Sequence, residues 1–208
     1  KGAASVFTQT VEHQRILLER LGVKSTVLPN AVSQDDCAGS PSSGRRHVLW
    51  VGRHVGWKHP GRFIELARRM PSVDFLMVCP PNVSHDETGY AALVAEAAEL
   101  PNLTLRGQVH AEDMAALYPS SLVYVNTSDA EGFPNTFLEA CLEDTPILSL
   151  SVNPDGFLER SGSGEAAGGD LAQLAAKLEK LLSDPDRRTR MGKSGKEYVC
   201  RNHSVEKV

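Results

Sequence analysis

The chain has 208 residues, 41% of them apolar, and a formal net charge of −4. That is enough to bury the core of one full α/β domain with extra material. It excludes a general nucleic-acid surface, which needs clustered positive charge, and a membrane-spanning helix, because no apolar run approaches roughly 18 to 20 residues.

The first residue is Lys1 rather than Met, no secretory pattern opens the chain, and a strand-like run begins at once, so a piece of a longer protein is expected. Ser5 to Thr10 reads as a short strand, and Glu12 to Leu21 as a helix from the spacing of Ile16, Leu17, Leu18 and Leu21, stopped by Gly22. A strand from Ser25 to Leu28 ends at Pro29 and Asn30. Residues 33–46 are rich in Ser, Gly, Asp and Arg without periodicity and read as a linker loop. The expected division is therefore 1–32 as the end of a preceding domain and a crossing, 33–46 as the linker, and 47–208 as the main domain. Cys37, Cys79, Cys141 and Cys200 are widely spaced with no Cys-x-x-Cys, and are expected to be reduced thiols of a cytoplasmic protein, without metal or redox roles.

From His47 the pattern becomes regular. Strands are expected at His47 to Val51, Val73 to Cys79, Leu103 to Arg106, Leu122 to Asn126 and Ile147 to Leu150. Helices are expected between them at Pro60 to Met70, Gly89 to Leu100, Ala111 to Tyr118 and Pro134 to Leu142. This alternation predicts an α/β fold with a doubly wound, Rossmann-like parallel sheet. Near-continuous apolar runs such as Val48-Leu49-Trp50-Val51 fit strands covered on both faces. After Ser151 a Gly-rich loop is expected up to Gly169, then helices Leu171 to Leu182 and Arg187 to Arg201.

Ligands of such a sheet bind outside the carboxyl ends of its strands. After the strand ending at Val51 comes Gly52-Arg53-His54-Val55-Gly56-Trp57-Lys58-His59, where glycines permit close backbone approach and Arg53 with Lys58 suit a diphosphate. At the same edge lies Glu131-Gly132-Phe133-Pro134-Asn135-Thr136-Phe137-Leu138-Glu139. Pro134 suits the first helical position, so the helix is expected to start near Phe133. Asn135 and Thr136 then lie in its first turn, where free N–H groups and the helix dipole favour an anion. Glu139, three residues beyond Thr136 on nearly the same face, suits a ribose diol.

The combination of Val51-Gly52-Arg53 with Lys58, Arg106-Gly107-Gln108-Val109, and Glu131-Gly132-Phe133-Pro134 with Glu139-Ala140 resembles the donor-binding half of a glycosyltransferase family 4 (glycosyl transferases group 1) enzyme with the GT-B fold. Thr145-Pro146 and Leu28-Pro29-Asn30-Ala31-Val32 fit the same pattern, and the resemblance runs from about residue 5 to the end. It implies that 47–208 is the nucleotide-sugar-binding C-terminal domain of a retaining enzyme transferring a sugar from a nucleoside diphosphate sugar. In that reading Arg53 and Lys58, with Gly132, Phe133, Asn135 and Thr136, hold the donor diphosphate and sugar. Glu139 binds the ribose, Glu131 lies near the transferred sugar as the catalytic candidate, and Gly107, Gln108 and Val109 flank the base. No metal and no cofactor are implied. The acceptor, a glycan or a lipid-linked molecule, would bind through a missing N-terminal domain, with peripheral membrane contact of the full-length protein among the expectations. This piece alone would bind nucleotide and transfer nothing. Asp144 replaces the family's usual glycine before Thr-Pro, Val152-Asn153-Pro154-Asp155-Gly156 replaces a Gly-Gly loop, and Asn30-Ala31 replaces Asn-Gly, so no sugar identity carries over.

The competing reading is a non-catalytic nucleotide-binding or regulatory module on the same fold. A weaker one, a nicotinamide oxidoreductase, rests on Gly162-Ser163-Gly164-Glu165-Ala166-Ala167, which matches G-x-G-x-x-A without the strand that should run into it. Asp184-Pro185-Asp186 reads as a helix cap rather than a metal site. His54, His59 and His110 read as solvated, and Trp57 as packed on the following helix.

Overall fold

The computed structural model describes residues 5–33, 37, 44–82 and 87–208. It contains β1 (Phe7–Thr8), α1 (Val11–Leu21), β2 (Thr26–Val27), β3 (His47–Val51), α2 (Pro60–Arg69), β4 (Asp74–Val78), α3 (Glu87–Ala98) and β5 (Leu103–Arg106). There follow α4 (Ala111–Leu117), β6 (Ser121–Asn126), α5 (Asn135–Leu142), β7 (Ile147–Ser149), α6 (Phe157–Ser161), β8 (Gly164–Ala166), α7 (Leu171–Leu182) and α8 (Pro185–Asn202). Among the described residues no helix is long and apolar enough to cross a membrane. Most of the expected linker lies outside the described residues.

β3 to β8 form one parallel sheet in the order β5-β4-β3-β6-β7-β8. Alternate side chains of each strand point to opposite faces, so Val48, Trp50, Phe75, Met77, Val123 and Val125 join α2, α3 and α7 in one core. Leu49, Leu76, Val78, Tyr124 and Ile147 join α5, α6 and α8 in the other. Both faces are closed, which is why these strands read as continuous apolar runs. Each fully buried Leu, Ile or Phe contributes about 1.5–3 kcal/mol, so the two cores set the stability of the sheet.

The stretch expected to be a loop up to Gly169 is instead ordered as a 3₁₀ turn at Pro154–Gly156, helix α6 and the edge strand β8. Its glycines hide the strand from sequence reading. A Cβ on Gly164 would stand 2.2 Å from the Ile147 carbonyl oxygen, so the residue is glycine because β7 and β8 approach closely. This places the G-x-G-x-x-A match inside a strand rather than after one. α8 starts two residues earlier than expected, with Asp184 Oδ1 accepting from the Arg187 N–H at 2.8 Å and Pro185 in the first turn. That aspartate is a cap.

The cysteine expectation fails for one pair. Cys37 and Cys200 form a disulfide with their Cα atoms 5.9 Å apart, joining the segment before β3 to the end of α8. Cys79 and Cys141 are buried free thiols, and burial pushes both up to about 12. They are inert at neutral pH.

β1 and β2 pair in parallel as a separate two-stranded sheet carrying α1. Polar contacts join this unit to the rest. Asp155 accepts from the first-turn amides of α1, Val11 and Glu12, at 2.8 and 3.0 Å, while no residue of α1 is buried. The crossing continues through Asn30, whose carbonyl faces His203 Nδ1 at 2.9 Å, and Val32, which bridges to Ser204.

Candidate functional site

β3 and β6 are neighbours, yet the chain leaves β3 toward β4 and leaves β6 toward β7 on the other side. The loops after these two strands therefore diverge and open a crevice at the carboxyl edge of the sheet, where open α/β sheets bind ligands. The β3 loop carries Arg53 and Lys58, and the β6 loop carries Glu131. Hydrogen bonds stitch the two loops together. Trp50 Nε1 donates to Thr127 Oγ1 at 2.8 Å, that hydroxyl points at the Lys58 carbonyl at 2.7 Å, and the Asp129 N–H donates to the Trp57 carbonyl at 2.9 Å.

Gly52 shapes the β3 loop. A Cβ there would meet Lys58 Cδ at 2.8 Å and Trp50 Cη2 at 2.9 Å, so glycine leaves room for the lysine stem to run over the strand end. Lys58 Nζ then reaches Glu131 Oε1 at 3.0 Å. The same oxygen accepts from Asn126 Nδ2 at 3.0 Å and Ser128 Oγ at 2.6 Å. Glu131 thus fixes a cation at the crevice floor, leaving two further ammonium protons of Lys58 for a ligand. Arg53 is exposed and has no side-chain partner among the described residues.

Residues 132–136 turn into α5, which begins at Asn135 with Pro134 as its N-cap. The helix therefore starts later than its proline suggests, because Pro134 has ψ 120°, an extended value. Asn135 and Thr136 remain the first turn. Their surroundings are polar: Asn30 Nδ2 donates to Asn135 Oδ1 at 2.6 Å and to the Phe133 carbonyl at 3.0 Å. Tyr124 Oη donates to Thr136 Oγ1 at 2.9 Å. The Phe133 amide, expected to face the donor, instead donates to Gln9 Oε1 at 3.1 Å, and Gln9 Nε2 donates to Asn30 Oδ1 at 2.8 Å. Phe133 packs its ring edge-on to Phe157 at 5.0 Å. Gly132 lies under the same glutamine, whose Oε1 would be 2.2 Å from a Cβ there.

Glu139 lies on the exposed side of α5, where its Oε2 accepts from Tyr118 Oη at 2.5 Å. Gly107, Gln108 and Val109 follow β5 at the same sheet edge, with Val109 partly buried against the core that α5, α6 and α8 share. Asp129, which sequence reading passed over, takes a hydrogen bond from His59 and an ion pair from Arg62 at 2.9 Å. The His59 hydrogen bond, ahead of Arg62, holds its carboxyl below the usual value. His59 has φ 46°, a left-handed conformation rare for residues with a Cβ. His54 meets Tyr90 edge-on at 5.6 Å, and His110 is exposed. Trp57 does not pack as expected: it is 55% exposed, because the 3₁₀ turn Gly56–Lys58 turns it outward while Lys58 goes in.

The residues missed from the sequence are supports: Asn126, Ser128, Tyr118 and Tyr124. Tyr118 ends a predicted helix and Tyr124 lies within a predicted strand, and the signal the sequence offers is that a buried phenol needs a hydrogen-bond partner.

The sheet order and its two covered faces define a doubly wound α/β domain. The chain belongs to the family of glycosyl transferases group 1, whose family model matches residues 36–198. It is 30% identical over 120 residues to the capsular polysaccharide biosynthesis glycosyltransferase CapM of Staphylococcus aureus, covering 56% of this chain and 30% of that protein. It is 26% identical over 227 residues to the 2-deoxystreptamine glucosyltransferase of Streptomyces kanamyceticus, covering 98% of this chain and 57% of that one. The chain thus spans about half or less of the length of these curated relatives. Among solved structures, Alr3699/HepE of Anabaena in complex with UDP and glucose superposes with a TM-score of 0.85 at 17% identity, over 98% of this chain and 60% of that one. The six-stranded parallel sheet is the fold of one half of a GT-B glycosyltransferase.

Proposed function

We propose that this chain is the donor-binding domain of a retaining glycosyltransferase, which takes a nucleoside diphosphate sugar and transfers its sugar to an acceptor held elsewhere in the enzyme. One observation supports the reading: Lys58 after β3 and Glu131 after β6 stand 3.0 Å apart at the carboxyl edge of the sheet, with Arg53 on the same loop as Lys58 and Glu139 on the helix that follows Glu131. Arg53, Lys58 and the first-turn amides of α5 form a cationic rim suited to a diphosphate. As the glycosidic bond breaks, negative charge builds on that diphosphate, and charges already in place stabilise it without reorganisation. Glu139 takes the ribose hydroxyls, Gly107, Gln108 and Val109 flank the base, and Glu131 holds Lys58 beside the sugar. No covalent chemistry from these residues is needed.

Calorimetric titration with UDP-, GDP- and ADP-sugars tests this. Saturable binding to one of the series is expected, with Glu139→Ala weakening it by about 1.5–3 kcal/mol, the range for hydrogen bonds to a charged group. Absence of binding to all three at millimolar concentration overturns the reading.

A further inference from the structure

Glu139 is presented on the solvent side of a helix, where a glutamate ordinarily samples several rotamers. Here one carboxylate oxygen is held from inside the protein. Tyr118, only 3% exposed, donates its hydroxyl to Glu139 Oε2 at 2.5 Å. Its ring lies 5.9 Å from that of Tyr124, whose hydroxyl donates to Thr136 Oγ1 at 2.9 Å. Thr136 and Glu139 are three residues apart on α5 and share a face. Two buried phenols thus rise from the core beneath two neighbouring residues of the ligand-facing rim.

We infer that Tyr118 is a positioning residue that fixes the Glu139 carboxylate for a vicinal ribose diol. The inference rests on the donor-binding reading above. A single phenol bond uses one of about four lone-pair sites of the carboxylate. Among the described residues, Oε1 and the second site of Oε2 stay open, two acceptors for two adjacent hydroxyl donors. The phenol keeps its proton, since burial first and the Glu139 charge second both push it well above its ordinary value. It therefore acts only as a donor to the carboxylate. The ring cannot follow a moving glutamate, because it is buried in the core cluster that also holds Leu49, Tyr124 and Phe137. Preorganisation of this kind lowers the ordering cost of binding.

The test uses UDP, GDP and ADP, each beside its 2′,3′-dideoxy counterpart, titrated calorimetrically into wild type, Tyr118→Phe and Glu139→Ala. Wild type should prefer the ribose form by about tenfold or more. Tyr118→Phe should lower that preference several-fold while leaving affinity for the dideoxy form unchanged, which a general loss of folding could not do. Glu139→Ala should abolish the preference, and adding Tyr118→Phe to it should change nothing more. If Glu139→Ala removes the preference and Tyr118→Phe does not, the positioning role is overturned while the donor reading stands. If Glu139→Ala leaves the preference intact, the ribose assignment itself falls. Should Tyr118→Phe fail to fold, the unmutated protein labelled with [¹³Cζ]tyrosine decides, since it has only four tyrosines to resolve. The Tyr118 resonance should move with the ribose form and stay in place with the dideoxy form, and movement with neither overturns the inference.

Discussion

Lys58 Nζ and Glu131 Oε1 stand 3.0 Å apart with their side chains 18% and 14% exposed. The pair holds a cation beneath the crevice, and its carboxylate also satisfies Asn126 and Ser128. Removing one partner leaves several polar groups without a mate in a largely dry site. Glu131→Ala should lower the unfolding free energy by about 1–3 kcal/mol. The double variant Lys58→Met/Glu131→Leu should recover most of that loss yet bind no nucleoside diphosphate. Urea unfolding followed by calorimetry separates the two effects, and wild-type stability in Glu131→Ala would contradict the hub role.

Arg53 offers the opposite profile. It is exposed and unpaired among the described residues, so Arg53→Ala should change stability by no more than about 0.5 kcal/mol. Diphosphate affinity should fall by about 1.5–3 kcal/mol, and the remaining binding should depend less on salt. Titration at two ionic strengths checks both, with the corresponding nucleoside as a control that should be unaffected.

His47 and His203 set an acid limit. Burial, the largest cause for each, holds both below the usual imidazole value in the folded protein. The unfolded chain therefore binds protons first as the pH drops below about 6.5. Stability conferred by the neutral rings is complete above that pH and is lost progressively as the pH falls toward their depressed folded values. Urea midpoints at pH 7.5 and 5.5 should differ less in His203→Asn than in wild type. An equal difference would remove His203 from the account.

The Cys37–Cys200 bond closes a loop of sequence separation 163. Reduction should cost about 5 kcal/mol of stability in the chain-entropy picture. Peptide mapping without reductant should find Cys37 and Cys200 in one linked species, while Cys79 and Cys141 alkylate only on unfolding. Recovery of Cys37 or Cys200 as a free thiol from oxidised protein would contradict the pairing.

What could be read from the chain depended on range. The limits of β3 and β5 follow from local patterns, an apolar run in one and apolar–polar alternation in the other, and are recovered to the residue. The meeting of Lys58 and Glu131 follows from strand alternation, because the topology sends the loops after β3 and β6 to one edge. The hydrogen bonds that give each residue its setting are set by packing instead. Pro134 looks the same at an N-cap as at a first helical position until ψ is known. Gly164 announces a loop until the Ile147 carbonyl behind it is seen. Cys37 carries no local sign of a partner that far along the chain.

The joint between the β1–α1–β2 unit and the rim of the crevice consists of Gln9, Asn30 and Asp155 bonding to Phe133, Asn135 and the start of α1. Every one of these bonds can be exchanged for one to water at a net cost of about 0.5–1.5 kcal/mol, and α1 has no buried residue to uncover. Mechanically this is a soft seam: parting it wets polar atoms and exposes little oil. It also ends on the Phe133 amide, so whatever strains the seam is felt one residue from Gly132.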